Sequence, residues 1–217
     1  MTLALEIIVG STREGRAADR VLPWLVERAE THGAFSVDLL DLRDWRLPMF
    51  QETFAALKDP TGNGYSDPVV RRWNQVVAGG DAYLFLTPEY NHSVPAVLKN
   101  AIDSVFGSFG FRNKVAGFVG YSGGPVGGAR AVEHLAHIAI EAELVPLRNA
   151  ALIAQVYQAF DEHGRPRDPV TDACLAVLLD DLAWWGNALR RARDAGELPP
   201  AHARRAAAAP PRAPAVA

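Results

Sequence analysis

The stretch VGSTREGRAA, Val9 to Ala18, holds Gly10 and Gly15 in the glycine frame of a nucleoside-triphosphate P-loop. A P-loop continues with Lys and then Ser or Thr, which reach the β and γ phosphates and ligate Mg²⁺. Here Arg16 and Ala17 follow, so a triphosphate would lack its charge clamp. The residues present suit a smaller anion. Ser11 and Thr12 supply hydroxyls, Arg13 and Arg16 supply charge-assisted donors, and the helix that opens next turns its first N–H groups to the same point. That set fits a phosphate monoester dianion. A plain strand-to-helix turn with solvated arginines and a serine cap would use the same residues, and the loop alone leaves both readings open.

Two more segments carry candidate chemistry. TPEYNHSVPAVLKNAID, from Thr87 to Asp103, opens with Pro88, Glu89, Tyr90 and Asn91, the proline fixing how the chain leaves a strand. YSGGPVGG brings Ser122, Gly123, Gly124, Gly127 and Gly128, and glycines permit close backbone approach to a flat ligand. Tight packing of a helix on a sheet would ask for the same glycines. Other constellations are incomplete. The dinucleotide-binding G-x-G-x-x-G is missing after the first strand, and the near match Ser122, Gly124, Gly127 follows the fourth. Glu133, His134 and His137 share a helical pattern without a third metal ligand at suitable spacing, so no metal site is expected. No G-x-S-x-G elbow supports a hydrolytic triad.

Positioning these loops takes strands and helices in alternation. LALEIIV, FSVDLLDL, DAYLFLT, KVAGFVGY and ELVPLRNAALI read as five strands with helical patterns between them, the signature of βαβ units around a parallel sheet covered on both faces. Ala18, Val21, Leu22, Leu25 and Ala29 fall at helical spacing, as do Val94, Val97, Leu98, Ala101, Ile102 and Val105, with Ser93 as the expected N-cap of the second set. A long last helix is expected from about Val170 to Ala195, with Trp184 and Trp185 filling the gap to the sheet or forming half of a dimer interface. In an open sheet of this kind ligands bind beyond the carboxyl ends of the strands, where Gly10–Arg16, Pro88–Ser93 and Ser122–Gly128 all lie.

Composition bounds the class. The 217 residues are 49% hydrophobic and 22% charged, a globular mix whose length puts one domain, 1–196, ahead of two. The Ala, Arg and Pro of 197–217 read as a disordered tail. Residues 42–66 read as a long, lid-like loop. A net charge of −3 predicts no nucleic-acid binding. The lone Cys174 offers no redox pair, and the apolar start is too short for a membrane span or secretion signal, which makes the cytoplasm the default.

The order GSTR, then PEYN with LKNAID, then SGG resembles the signature of the NAD(P)H-dependent FMN reductase family, the flavodoxin-like quinone, azo-dye and chromate reductases. The resemblance implies a flavodoxin-like doubly wound sheet of order 2-1-3-4-5 and FMN as cofactor. By the same resemblance Gly10, Ser11 and Arg13 hold the FMN phosphate with Thr12 beside them, Pro88, Glu89, Tyr90 and Asn91 lie along the isoalloxazine, and Ser122, Gly123 and Gly124 flank its other edge. Where many family members carry Ser and Asn, this chain has Arg16 and Ala18, as in a subgroup in which Arg serves the phosphate. Backbone amides near N1 and O2 would stabilise the reduced ring.

The implied activity is ping-pong transfer of hydride from NAD(P)H through FMN to a quinone, free flavin or similar acceptor, in a homodimer or homotetramer. An FMN-binding electron carrier or flavin sensor is the alternative. A carrier is usually strongly acidic, which −3 does not match.

Overall fold

The computed structural model describes residues 2–53 and 64–208. Five parallel strands, β1 (Leu3–Val9), β2 (Phe35–Asp41), β3 (Ala82–Pro88), β4 (Val115–Tyr121) and β5 (Val145–Ile153), form one sheet in the order β2-β1-β3-β4-β5. This is the flavodoxin-like order expected from the sequence. Alternation along each inner strand sorts side chains to two faces. Leu3, Leu5, Ile7 and Val9 of β1 join Leu84, Leu86, Val115 and Val119 under α1 (Ala18–Thr31) and α6 (Pro169–Ala195). Ile8, Tyr83, Phe85 and Phe118 pack on the other face against α3 (Pro68–Gly79), α4 (Ala96–Asp103) and α5 (Ala129–Glu141). Each inner strand is therefore apolar nearly throughout, as a sheet covered on both faces requires. The edge strands are half covered: Ser36, Leu39 and Leu152 remain exposed.

Close approaches explain two glycines. A Cβ at Gly117 would meet Leu178 Cδ1 at 2.9 Å, and one at Gly186 would meet Leu3 Cδ1 at 2.7 Å, so α6 rests directly on the sheet. That helix starts where Asp168 accepts a hydrogen bond from Val170 N at 2.9 Å and Pro169 needs no donor of its own. On the opposite face the buried Trp73 donates through Nε1 to Ala101 O at 2.8 Å, tying α3 to α4.

Several local expectations differ from the structure. Ser93 does not cap α4: it closes a two-residue turn on Tyr90, and Pro95 becomes the cap position. Trp184 and Trp185 pack edge-on to each other at 5.0 Å on the outer side of α6, 66% and 40% exposed, because Leu178, Leu179 and Leu182 already fill the gap to the sheet. Within 42–66, the first residues form the short α2 (Leu42–Trp45), the next are pinned to α4, and 54–63 lie outside the described residues. Part of the expected tail is ordered as α7 (Ala201–Ala208), where alanine's high helix propensity outweighs the lack of apolar bulk, while 209–217 lie outside the described residues. No helix among the described residues is long and apolar enough to cross a membrane.

The sheet's middle holds one buried acid. Glu6 is 3% exposed, and its Oε2 finds no hydrogen bond among the described residues. Burial, with Asp38 alongside, pushes its pKa up from 4.5 to about 7 against the pull of Lys114. Lys114 is driven the other way, down to about 8, by burial and Arg193, although its Nζ reaches Ala78 O and Gly110 O at 2.8 Å and Tyr83 Oη at 3.1 Å. Below about pH 4.5 Glu6 is protonated folded and unfolded and costs nothing; as pH rises to about 7 the folded chain keeps a proton the unfolded chain has lost, and stability falls. Glu6→Gln should flatten that decline and gain on the order of 1–3 kcal/mol at pH 8. Urea midpoints measured from pH 4.5 to 8 check it; an unchanged slope would place the titration elsewhere.

Candidate functional site

The three loops singled out in the sequence meet at the carboxyl edge of β1, β3 and β4. Gly10 N donates to Leu86 O at 2.8 Å and Glu89 N to Tyr121 O at 3.1 Å, continuing the strand ladder into the loops. A Cβ on Gly10 would meet Leu98 Cδ2 at 2.8 Å and Leu86 O at 3.1 Å, so this position accepts only glycine without movement.

The first loop then leaves its donors unspent. Among the described residues, the N–H groups of Ser11 through Arg16 donate to no protein acceptor. Helix α1 begins at an Ala17 N-cap that makes no side-chain hydrogen bond, with Asp19 the acidic residue of its first turn. Ser11 is fully buried and its Oγ shares a hydrogen bond with Tyr90 Oη at 2.8 Å. The Tyr121 hydroxyl lies buried in the same region without a well-formed hydrogen bond among the described residues. Burial, with Tyr90 nearby, pushes its phenol pKa well up. A neutral hydroxyl there remains a donor for an anion. Arg13 spreads its guanidinium 5.4 Å from the Tyr90 ring centroid, and Thr12 is exposed at the loop's outer side.

Arg16 has a different place from the one its charge suggests. Its side chain is 3% exposed; Nε bonds Asp19 Oδ1 at 2.8 Å, Nη1 bonds Ser11 O and Asp41 Oδ1, and Nη2 bonds Asp41 Oδ2. All three guanidinium nitrogens therefore already have protein acceptors. The Asp41 hydrogen bonds raise the Arg16 pKa further, and although burial opposes it, Arg16 and the Arg43 amide hold the Asp41 carboxyl below its ordinary range. A buried bidentate pair joins the end of β2 to the loop and holds the Ser11 carbonyl inward.

The second loop is a tight turn. Tyr90 and Ser93 exchange N–H···O bonds at 2.9 and 3.0 Å, and Asn91 and His92 between them have φ of 50° and 67°, the pattern of a type I′ turn. Asn tolerates that region because its short polar side chain relieves the usual penalty. Pro88 is buried at the strand end. Glu89, 5% exposed, turns away from the turn's outer face. Its Oε2 accepts from Arg130 N at 3.2 Å and its Oε1 pairs with Arg130 Nη2. Arg130 Nη1 also bonds His92 Nε2 at 2.8 Å. Glu89 thus caps α5, whose Gly128 N-cap carries no side chain.

In the third loop Ser122 Oγ donates to Gly124 O and accepts from Gly127 N, both at 3.0 Å. Gly128, at φ 85°, could not carry a Cβ, which would lie 2.6 Å from Tyr121 N. Nothing lies within 4 Å of a Cβ built on Gly124, and the exposed Tyr157 ring stands 3.5 Å from one built on Gly123. The structure therefore brings together the residues named from the sequence, but the side chains of Arg16, Glu89 and Ser122 bond within the loops and their neighbours. Sequence reasoning missed Asp41, Tyr121 and Arg130. Each completes a contact whose partner is distant in sequence, and only Tyr121, ending a strand beside SGG, carried a positional cue.

With this geometry in place, comparison places the chain among known proteins. The sequence profile described as NADPH-dependent FMN reductase matches residues 4–158. An NAD(P)H-dependent FMN reductase of Pseudomonas aeruginosa is 35% identical over 158 residues, 71% of this chain and 80% of the relative. A 2-hydroxy-1,4-benzoquinone reductase of Burkholderia is 28% identical over 85% of this chain and 97% of its own. The solved structure of FerB, a flavoenzyme NAD(P)H:(acceptor) oxidoreductase of Paracoccus denitrificans, superposes with a TM-score of 0.70 at 26% identity, covering 86% of this chain and 98% of that one.

Removing the buried Glu89 carboxylate tests the assignment of that side chain to holding the loops. Glu89→Ala should cost about 2–4 kcal/mol, since Arg130 and the first turn of α5 lose their acceptor together. Guanidinium unfolding of the variant checks this, and a loss under about 0.5 kcal/mol would show the pair to be idle.

Proposed function

Because the chain belongs to the NADPH-dependent FMN reductase family, we propose that it binds FMN across its three carboxyl-edge loops and uses NAD(P)H to reduce a quinone, a free flavin or a similar small acceptor. The observation that carries this reading is the set of unspent amides from Ser11 to Arg16 at the uncapped start of α1, with the buried Ser11 and Tyr121 hydroxyls and the half-buried Tyr90 hydroxyl close by. Such a cradle matches the demand of a phosphate monoester, which needs several convergent N–H and O–H donors and no metal.

Each residue's part follows from its contacts. Ser11, Thr12 and Arg13 would hold the phosphate, with Arg13 steered by the Tyr90 ring face. Arg16 works from behind, fixing the loop through Asp41 so that its amides stay aimed outward. Pro88, Tyr90 and Asn91 would border the ring on one side and Gly123 and Gly124 on the other, where the Gly124 backbone is open to a flat ligand. Glu89 and Arg130 keep these two borders at a fixed separation. When bound, FMN supplies the hydride chemistry, with donor and acceptor using one face in turn, so a ping-pong course follows. No side-chain general base is called for, and preorganised amides do the protein's electronic work. The outward-facing Trp184 and Trp185 support assembly into a dimer or tetramer, and a cytoplasmic setting suits a consumer of NAD(P)H.

The deciding experiment is an absorbance spectrum after FMN addition and desalting, followed anaerobically by NADPH and then NADH. Retained flavin bands that bleach on adding either nucleotide are expected. Flavin that is retained but stays oxidised would make the protein a carrier or sensor. In fluorescence titrations Arg13→Ala should weaken FMN about 10- to 100-fold and leave riboflavin nearly unchanged. Equal losses for both would move the phosphate away from this loop.

A further inference from the structure

A basic pocket opens beside the first loop, and the FMN site uses none of its arginines. At the end of α2 the chain turns at Arg46, whose φ is 44°, and then runs over α4. The buried Asn100 pins that run, donating from Nδ2 to Pro48 O at 2.8 Å and accepting from Phe50 N at 2.7 Å. Between this strap, Thr12 and Val97 lies a cavity of about 280 Å³. Arg43 and Arg46 line it with Met49 and Val97, so one part of its wall is cationic and another apolar.

The two arginines are not used up. Among the described residues Arg46 makes no hydrogen bond or ion pair. Arg43 commits Nη2 to Arg13 O at 3.1 Å and Asp19 Oδ2 at 3.3 Å, and its Nη1 has no acceptor among the described residues. The other arginines of the neighbourhood are engaged: Arg71 Nη1 donates to Tyr65 O and Ser66 O at 2.6 and 2.8 Å, and Arg72 lies over the Trp45 ring at 5.6 Å.

We infer that this pocket takes the adenosine 2′-phosphate end of NADPH, with Arg46 as the residue that selects NADPH over NADH and Arg43 as its support. The inference rests on the reductase reading, because it assigns a subsite for the electron donor of that reaction. Size, charge and wall chemistry agree. The cavity suits a nucleoside phosphate and is too small for a whole dinucleotide. Two guanidinium groups match a dianionic phosphate, while Met49 and Val97 offer an apolar surface to a flat base. An uncharged quinone in this space would leave the Arg46 guanidinium desolvated without a partner, which disfavours it as occupant. The FMN phosphate is provided for by the amides of the adjoining loop.

Calorimetric titration of the FMN-loaded protein with 2′,5′-ADP and with 5′-AMP tests the assignment without turnover. The expected result is that 2′,5′-ADP binds the native protein more tightly, and that Arg46→Ala weakens it about 10- to 100-fold while changing 5′-AMP far less. The NADPH-to-NADH ratio of kcat/KM should fall in the variant by a similar factor. Because Arg46 is exposed, an unchanged melting midpoint serves as the folding control. If 2′,5′-ADP binds no better than 5′-AMP, absence of binding included, or if the variant loses NADPH and NADH activity equally, the inference is overturned. Flavin bleaching by NADH in the native protein would leave the reductase reading standing in that event, whereas flavin that neither nucleotide bleaches would remove the reading itself.

Discussion

Parallel pairing of the strands is the constraint on which everything else in this protein depends. A parallel neighbour can be reached only by crossing over the sheet, so every strand must leave at the same edge and turn there into a helix. With β1 flanked by β2 and β3 and the order then continuing to β4 and β5, the turns after β1, β3 and β4 become neighbours. Helix N-termini gather with them, and the field at that edge favours an anion although the chain as a whole carries −3.

Holding such an edge open takes fixed loops with free donors, and ion pairs do the fixing. Arg16 with Asp41 anchors the first loop to the end of an edge strand, and Glu89 with Arg130 locks the second loop to the start of α5. Ser122 stitches the third loop to itself. These side chains satisfy one another from behind, so the backbone amides that face outward need not bond within the protein. Charge at the edge is thus divided: Arg16 is buried against Asp41, whereas Arg13, Arg43 and Arg46 stay exposed.

The opposite region of the sheet shows the cost of burying charge without such pairing. Glu6 and Lys114 are shifted toward their neutral forms by burial, and Lys114 spends its donors on carbonyl oxygens of α3 and of the segment before β4. The carboxyl-edge pairs instead have bidentate or capping geometry that compensates desolvation.

Much of this was determined by the sequence alone. Continuous apolar runs alternating with helical spacing require a covered parallel sheet, and the motif order carries the strand order and the three loops with it. Turn chemistry was legible only in part: Pro88 and the glycines marked the loops, but the positive-φ pair Asn91 and His92 showed that Ser93 closes a turn and does not cap a helix. Which charged groups face a ligand and which face each other was decided by the tertiary structure. Arg13 and Arg16 are equivalent as letters, and only the approach of Asp41, brought in by β2, buries one and leaves the other free. The same holds for the tandem tryptophans, whose burial depends on how closely α6 settles on Gly117. Local spacing records what a segment can present, whereas the partner that consumes or spares a side chain arrives through long-range packing.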